Sequence, residues 1–128
     1  MARNFIVIAA ISGFLSVALG AFGAHGLKNI ISEAALQTYQ TGASYQMSHS
    51  LALLMTGVLV YLFPTSRALQ ISGYAFISGI ILFSGSLYLL SFTGVKLLGM
   101  IAPLGGSAFM IGWIAMAVGV NKAIKYQA

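Results

Sequence analysis

Seven charged side chains in 128 residues, six basic and one acidic, leave four long intervals with no charge at all: Asn4 to Leu27, Ala34 to Ser66, Ala68 to Val95 and Leu97 to Asn121. About 20 largely apolar residues suffice for a helix that crosses a bilayer, so each interval holds one span and a fifth does not fit. Charged residues make up 5% of the chain, against roughly 25% in an ordinary soluble domain, and no water-facing surface can be built from so few. With lipid as the solvent, backbone N–H and C=O groups have to be satisfied within their own segment. Period-two alternation is absent, so the chain reads as an all-α membrane protein and not as a barrel.

The spans are predicted at about residues 5–22, 43–63, 68–92 and 97–120. Pro64-Thr65-Ser66-Arg67 is a tight turn, because proline cannot continue a helix without losing a hydrogen bond, and Thr93-Gly94-Val95-Lys96 is an equally short link. Such brief links force neighbours antiparallel, which predicts a four-helix antiparallel transmembrane bundle forming a single domain over residues 1–128. The last span begins at Leu97 or, more simply, at Pro103. Between spans one and two, Ser32 as a cap and Glu33 in the first turn predict a short interfacial helix with Ile31, Ala35 and Leu36 on the membrane surface and Gln37 and Gln40 in water. The first span has the small-residue string of a signal peptide, Ala18-Leu19-Gly20-Ala21. Its apolar run continues to Ala24, longer than a signal core, and is expected to be retained.

The basic residues stand singly at span ends. Arg3, Arg67, Lys122 and Lys125 fall on one side and Lys28 and Lys96 on the other, which predicts a multi-pass protein of the bacterial inner membrane with both termini cytoplasmic. Scattered in this way they are anchors and topology signals, and no nucleic-acid partner is expected. The chain has no cysteine, which removes disulfides, thiolate nucleophiles and thiolate metal sites.

Because the hydrophobic effect does not drive helices together in lipid, association depends on close approach through Gly, Ala and Ser. These recur at steps of three and four: Ala9, Gly13, Ser16, Gly20 and Gly23 in span one, Ser72, Ala75, Gly79 and Ser86 in span three, and Gly105, Ala108, Gly112, Ala115 and Gly119 in span four. Each set predicts a packing seam. The opposite surfaces, with Ile80, Leu87, Leu90, Met110, Trp113 and Ile114, are expected to face acyl chains.

The second span differs. Tyr45, His49, Ala52 and Thr56 repeat at helical spacing with Gln46 and Ser50 beside them, and ionisable groups within a membrane are functional candidates by default. His25 ends span one on the same side, so the two histidines are expected within reach, and His25, Tyr45, Gln46 and His49 form the candidate binding group. The plainer reading is a neutral His49 hydrogen-bonded to hold register, since no acid accompanies it. No metal is expected without a paired His motif on one helix. The cluster of Ser84, Gly85, Ser86 and Tyr88 predicts interhelical hydrogen bonds; no base, acid or phosphate cradle accompanies its serines, so no catalytic residue is assigned and no cofactor is expected.

The blocks Leu19-Gly20-Ala21-Phe22-Gly23-Ala24-His25, Tyr45-Gln46 with His49, Leu82-Phe83-Ser84-Gly85-Ser86-Leu87-Tyr88, and Pro103-Leu104-Gly105-Gly106 with Gly112-Trp113 carry a resemblance along essentially the whole chain. The sequence resembles the domain of unknown function family 423, small bacterial inner-membrane proteins related to mitochondrial transmembrane protein 256. In similar sequences a threonine often precedes the Pro-x-Gly-Gly block, whereas Ala102 stands here. The resemblance implies four spans and brings no activity, substrate or cofactor with it. The expected function is therefore a non-enzymatic accessory or scaffolding membrane protein that packs with itself, with membrane lipid or with a membrane-protein partner. The alternative is a small carrier or channel with an outward vestibule around His25 and His49, and an enzyme acting on lipid ranks third.

Overall fold

The structure, a computed structural model, describes residues 1–127. In chain order it consists of α1 (Ala2–His25), α2 (Glu33–Leu62), α3 (Arg67–Gly79), a π-turn (Ile80–Ser84), α4 (Gly85–Thr93) and α5 (Leu98–Gln127), with no strand among the described residues. Through the π-turn, α3 and α4 continue as one rod from Arg67 to Thr93; this rod, α1 and α5 are each long and apolar enough to cross a membrane. The thirty-residue α2 is not among them, because Gln37, Gln40, Gln46 and His49 dilute its hydropathy.

The helix ends follow local chemistry. The Ser32 hydroxyl accepts from the Ala35 N–H at 3.1 Å and Glu33 complements the positive end of α2. Pro64 stops α2 just beyond Leu62, Ser66 caps α3 by accepting from the Leu69 N–H at 3.3 Å, and Gln70 Nε2 donates to the Pro64 carbonyl at 2.9 Å. Gly94 ends α4 in the left-handed region at φ 67°, where its N–H reaches the Leu90 carbonyl at 2.9 Å.

Three expectations are corrected. The short interfacial helix is not a separate element, since α2 runs unbroken from Glu33. Its first turns dock on protein: Tyr39 is 1% exposed and donates to the Leu19 carbonyl at 2.6 Å. Gly42, the weak point of this stretch, is braced by Ser84 Oγ donating to its carbonyl at 2.7 Å. Nor does the last helix start at Pro103. It begins at Leu98 with Pro103 inside it, which forfeits only the bond that residue 103 would have made to the Gly99 carbonyl.

The third correction concerns faces. In the π-turn the Gly85 N–H bonds to the carbonyl of Ile80, five residues back, and the extra residue rotates everything that follows. The buried face runs Leu69, Ser72, Phe76, Gly79, steps five to Ser84, and continues to Leu87 and Ser91. Leu87, expected to face lipid, is therefore buried, and Ile81, Leu82 and Leu89 are exposed in its stead.

Contacts pair ascending with descending residue numbers. Phe5 and Ile6 of α1 meet Gly57 of α2 while Leu19 meets Tyr39. In the rod, Leu69, Phe76 and Phe83 meet Gly119, Gly112 and Gly105 of α5. Most of these meetings set a large side chain into the notch left by a glycine: a Cβ on Gly112 would stand 2.6 Å from the Phe76 ring and one on Gly23 2.5 Å from the Tyr39 ring, while Gly79 takes Phe109 and Gly73 takes Phe5. The core is accordingly aromatic and aliphatic, with Phe5, Leu53, Leu69, Phe76 and Phe109 at its centre. Ser86 is buried and donates to its own helix at the Phe83 carbonyl. Gly13 and Gly20, expected at a seam, have nothing within reach of a Cβ.

At Gly105 a Cβ would collide with the backbone of Phe83, which cannot swing aside. Gly105→Ala is expected to destabilise the protein by about 2 kcal/mol through overpacking. Gly13→Ala, in open space, should change stability by less than about 1 kcal/mol, in the direction of better helix propensity. Reversible unfolding of both variants in one detergent measures the difference, and equal losses would remove the significance given to the notch.

Candidate functional site

Polar side chains on α2 divide between two flanks. At 3.6 residues per turn, positions three apart lie about 60° from each other around a helix, so Gln46 and His49 address different neighbours. Gln46, 5% exposed, points at α1 and α4. Its Nε2 donates to the Ser12 carbonyl at 3.1 Å and to Ser12 Oγ at 3.2 Å, and its Oε1 accepts from the Tyr88 hydroxyl at 2.6 Å. Ser50 Oγ lies 2.7 Å from Ser12 Oγ and 2.6 Å from the Gln46 carbonyl. A carbonyl only accepts, so Ser50 donates to it and accepts from Ser12, which closes the network with every member satisfied.

His49 addresses α5. Its Nδ1 is 2.8 Å from the Tyr45 carbonyl and its Nε2 accepts from the Trp113 indole N–H at 3.1 Å. One partner can only accept and the other can only donate, which fixes a neutral imidazole with its proton on Nδ1. The ring stacks on Phe109 with centroids 3.6 Å apart and planes at 13°, and Phe76 and Tyr45 close around it. Both nitrogens are in use, leaving neither free as a base or a ligand. Trp113, expected on the lipid face, is 47% exposed but turns its one polar atom inward.

The candidate group of four does not assemble. His25 is exposed at the end of α1 and shares no hydrogen bond or ring contact with His49 among the described residues. Tyr45 is 42% exposed and stacks on Phe83 at 4.7 Å. The physical reason is the division of α2 between two neighbours: α1 takes the flank bearing Gln46 and Ser50, and α5 takes the flank bearing His49. Among the described residues no three His, Cys, Asp or Glu side chains come together to hold a metal. Two participants were not expected, Ser12 in the Gln46 network and Trp113 as the partner of His49, whereas Tyr88 and Ser84 make interhelical hydrogen bonds, to Gln46 and to the Gly42 carbonyl, as their cluster predicts. Of these two, a signal existed for Trp113, the sole tryptophan, since an indole N–H in a membrane needs a partner.

Helices of this length and apolarity, closed over a satisfied polar interior, define a multi-pass helical membrane protein. The chain belongs to the family described as protein of unknown function (DUF423), which matches residues 19–106. It is 45% identical to the UPF0382 membrane protein YwdK of Bacillus subtilis, over 97% of this chain and 98% of that protein. A UPF0382 membrane protein of Haemophilus influenzae is 42% identical over 96% of this chain and 98% of its own length, and one of Staphylococcus aureus 44% identical over 94% and 97%. No solved structure matches the chain.

Two outcomes follow from the networks. Nitrogen NMR of histidine-labelled protein in lipid should give His49 a protonated Nδ1 and an unprotonated Nε2, with the Nε2 signal displaced in Trp113→Phe. A double-mutant cycle of Gln46→Leu and Tyr88→Phe should yield a coupling of about 1 kcal/mol, in the range of interhelical hydrogen bonds within membranes. Zero coupling would place Tyr88 outside the network.

Proposed function

We propose that the protein is a non-enzymatic accessory or scaffolding component of the bacterial inner membrane: one integral domain of residues 1–128, a four-helix antiparallel transmembrane bundle with both termini cytoplasmic. The observation that carries this reading is the completeness of the interior. No buried side-chain nitrogen or oxygen lacks a hydrogen-bond partner among the described residues, so the interior holds no unspent polar group with which to bind or transform a substrate. For α2 as the fourth span, the support is where its polarity lies. Gln46, His49, Ser50 and Thr56 are enclosed, while from residue 51 onward the surface α2 exposes is Leu51, Leu54, Met55, Val58, Tyr61 and Leu62. The placement of Arg3, Arg67, Lys122 and Lys125 at one end supports the orientation.

A scaffold acts by contact, and α1 supplies the free surface. It packs almost entirely on α2 and presents Ile11, Phe14, Leu15 and Val17 outward, beside the open positions Gly13 and Gly20. The absence of cysteine makes single-site crosslinking direct. Val17→Cys, at 60% exposure, should form adducts with a second copy or another membrane protein in native membranes, whereas Ala52→Cys, buried at 5%, should form none. In proteoliposomes, wild type and His49→Ala should leave proton and cation leakage at the level of empty vesicles. Flux that disappears in His49→Ala would overturn the scaffold reading in favour of a carrier or channel.

A further inference from the structure

At the end where α2 hands over to α3, the turn Phe63–Arg67 and the last turns of α5 enclose a cleft of about 470 Å³. Its walls combine two chemistries. Arg67 and Lys122 contribute cations, and Phe63, Pro64, Ala123 and Tyr126 contribute apolar surface. Arg67 also borders a second groove of about 170 Å³ that runs along α3 over Ile71 and Tyr74, both 54% exposed on the apolar outer surface. The polar cleft therefore continues into a groove that faces acyl chains.

Among the described residues the two cations have no side-chain counter-charge. The sequence has one acidic side chain, Glu33, and it opens α2 at the far end of that thirty-residue helix, about 40 Å away at 1.5 Å per residue. Neither Arg67 nor Lys122 is hydrogen-bonded or ion-paired through its side chain to the described residues. The turn that carries Arg67 is held in shape, because Ser66 caps α3 and Gln70 clasps the Pro64 carbonyl. Arg67 and Ala68, the first residues of α3, line the same cleft, and the positive end of that helix adds to its potential.

We infer that this cleft binds an anionic glycerophospholipid, with its phosphate between Arg67 and Lys122 and an acyl chain laid in the groove over Ile71 and Tyr74. Basic pockets between helices at a membrane surface are the recognised setting for such headgroups. The apolar continuation is what selects a lipid over a free anion. The inference stands apart from the scaffold reading, since it needs only that this end of the helices lie at a bilayer surface.

Native mass spectrometry of the full chain, released from detergent with equimolar phosphatidylglycerol and phosphatidylcholine of matched acyl chains, tests it. Wild type should retain phosphatidylglycerol preferentially. With about 1 kcal/mol of attraction per basic residue near an anionic surface, roughly five-fold, Arg67→Gln with Lys122→Gln should reduce that preference about 25-fold. Arg67→Lys with Lys122→Arg should preserve most of it, and this pair separates charge from folding. Lys28→Gln with Lys96→Gln, equal in charge but at the other end, should leave it unchanged. Millimolar inorganic phosphate should not displace the lipid. The inference is overturned by equal retention of the two lipids, by equal loss in the two glutamine pairs, or by displacement with phosphate alone.

Discussion

Hydrogen-bond satisfaction away from water is the constraint on which this structure depends. A buried polar group in hydrocarbon has no solvent to fall back on, and α2 carries more such groups than any other helix of the protein. Its glutamine, histidine, serine and threonine are tolerable because each has found a partner: Ser12 and Tyr88 for Gln46 and Ser50, Trp113 for His49, and the Ala52 carbonyl one turn back for Thr56. Hydropathy averages every residue, but lipid meets only the exposed ones. That is why α2 falls outside the helices that qualify by composition although its second half, from Leu51 to Leu62, exposes an apolar surface.

The second organising element is the match between large side chains and missing ones. Phe5, Phe76, Phe83, Phe109, Leu69 and Tyr39 each lie against a glycine on a neighbouring helix. In a bilayer, packing and not water expulsion drives association, and a ring seated in a notch gains many close contacts without separating the backbones. The stripes of small residues are thus half of the device, and the rings facing them are the other half. The π-turn belongs to the same scheme, since by inserting one residue it brings Ser84 to the Gly42 carbonyl and turns Leu87 inward.

Much of this was legible in the sequence. Charge spacing locates the helices, Pro64 and Gly94 locate two of the turns, and the glycines at 79, 105, 112 and 119 were singled out by period alone. What was not legible depends on more than local pattern. A π-turn leaves no mark in Ile80–Ser84, because nothing in that string distinguishes a five-residue step from a four-residue one. The continuity of α2 through residues 33–42 is set by Tyr39 docking on Leu19, a contact twenty residues away in sequence. The separation of His25 from His49 likewise follows from which neighbour takes which flank, and helical period fixes the angle between flanks but not their occupants.

Notches join both pairs of helices, and the α1–α2 pair adds a polar network to them. The rod and α5 are joined by a ladder of notches at Gly79, Gly105, Gly112 and Gly119, contacts that depend on shape and on close backbone approach. α1 is joined to α2 through Phe5 and Ile6 at one end, Tyr39 at the other, and the Ser12 network between them. Interhelical hydrogen bonds within membranes average about 0.6 kcal/mol, because a helix released into lipid finds other partners for its polar groups. Packing contacts have no such substitute, since acyl chains do not fit a notch shaped to a ring. The polar network therefore specifies where α1 sits more than it fixes α1 in place, and the notches at Gly23, Gly57 and Gly73 do the fixing, which leaves the outer face of α1 free for a neighbour.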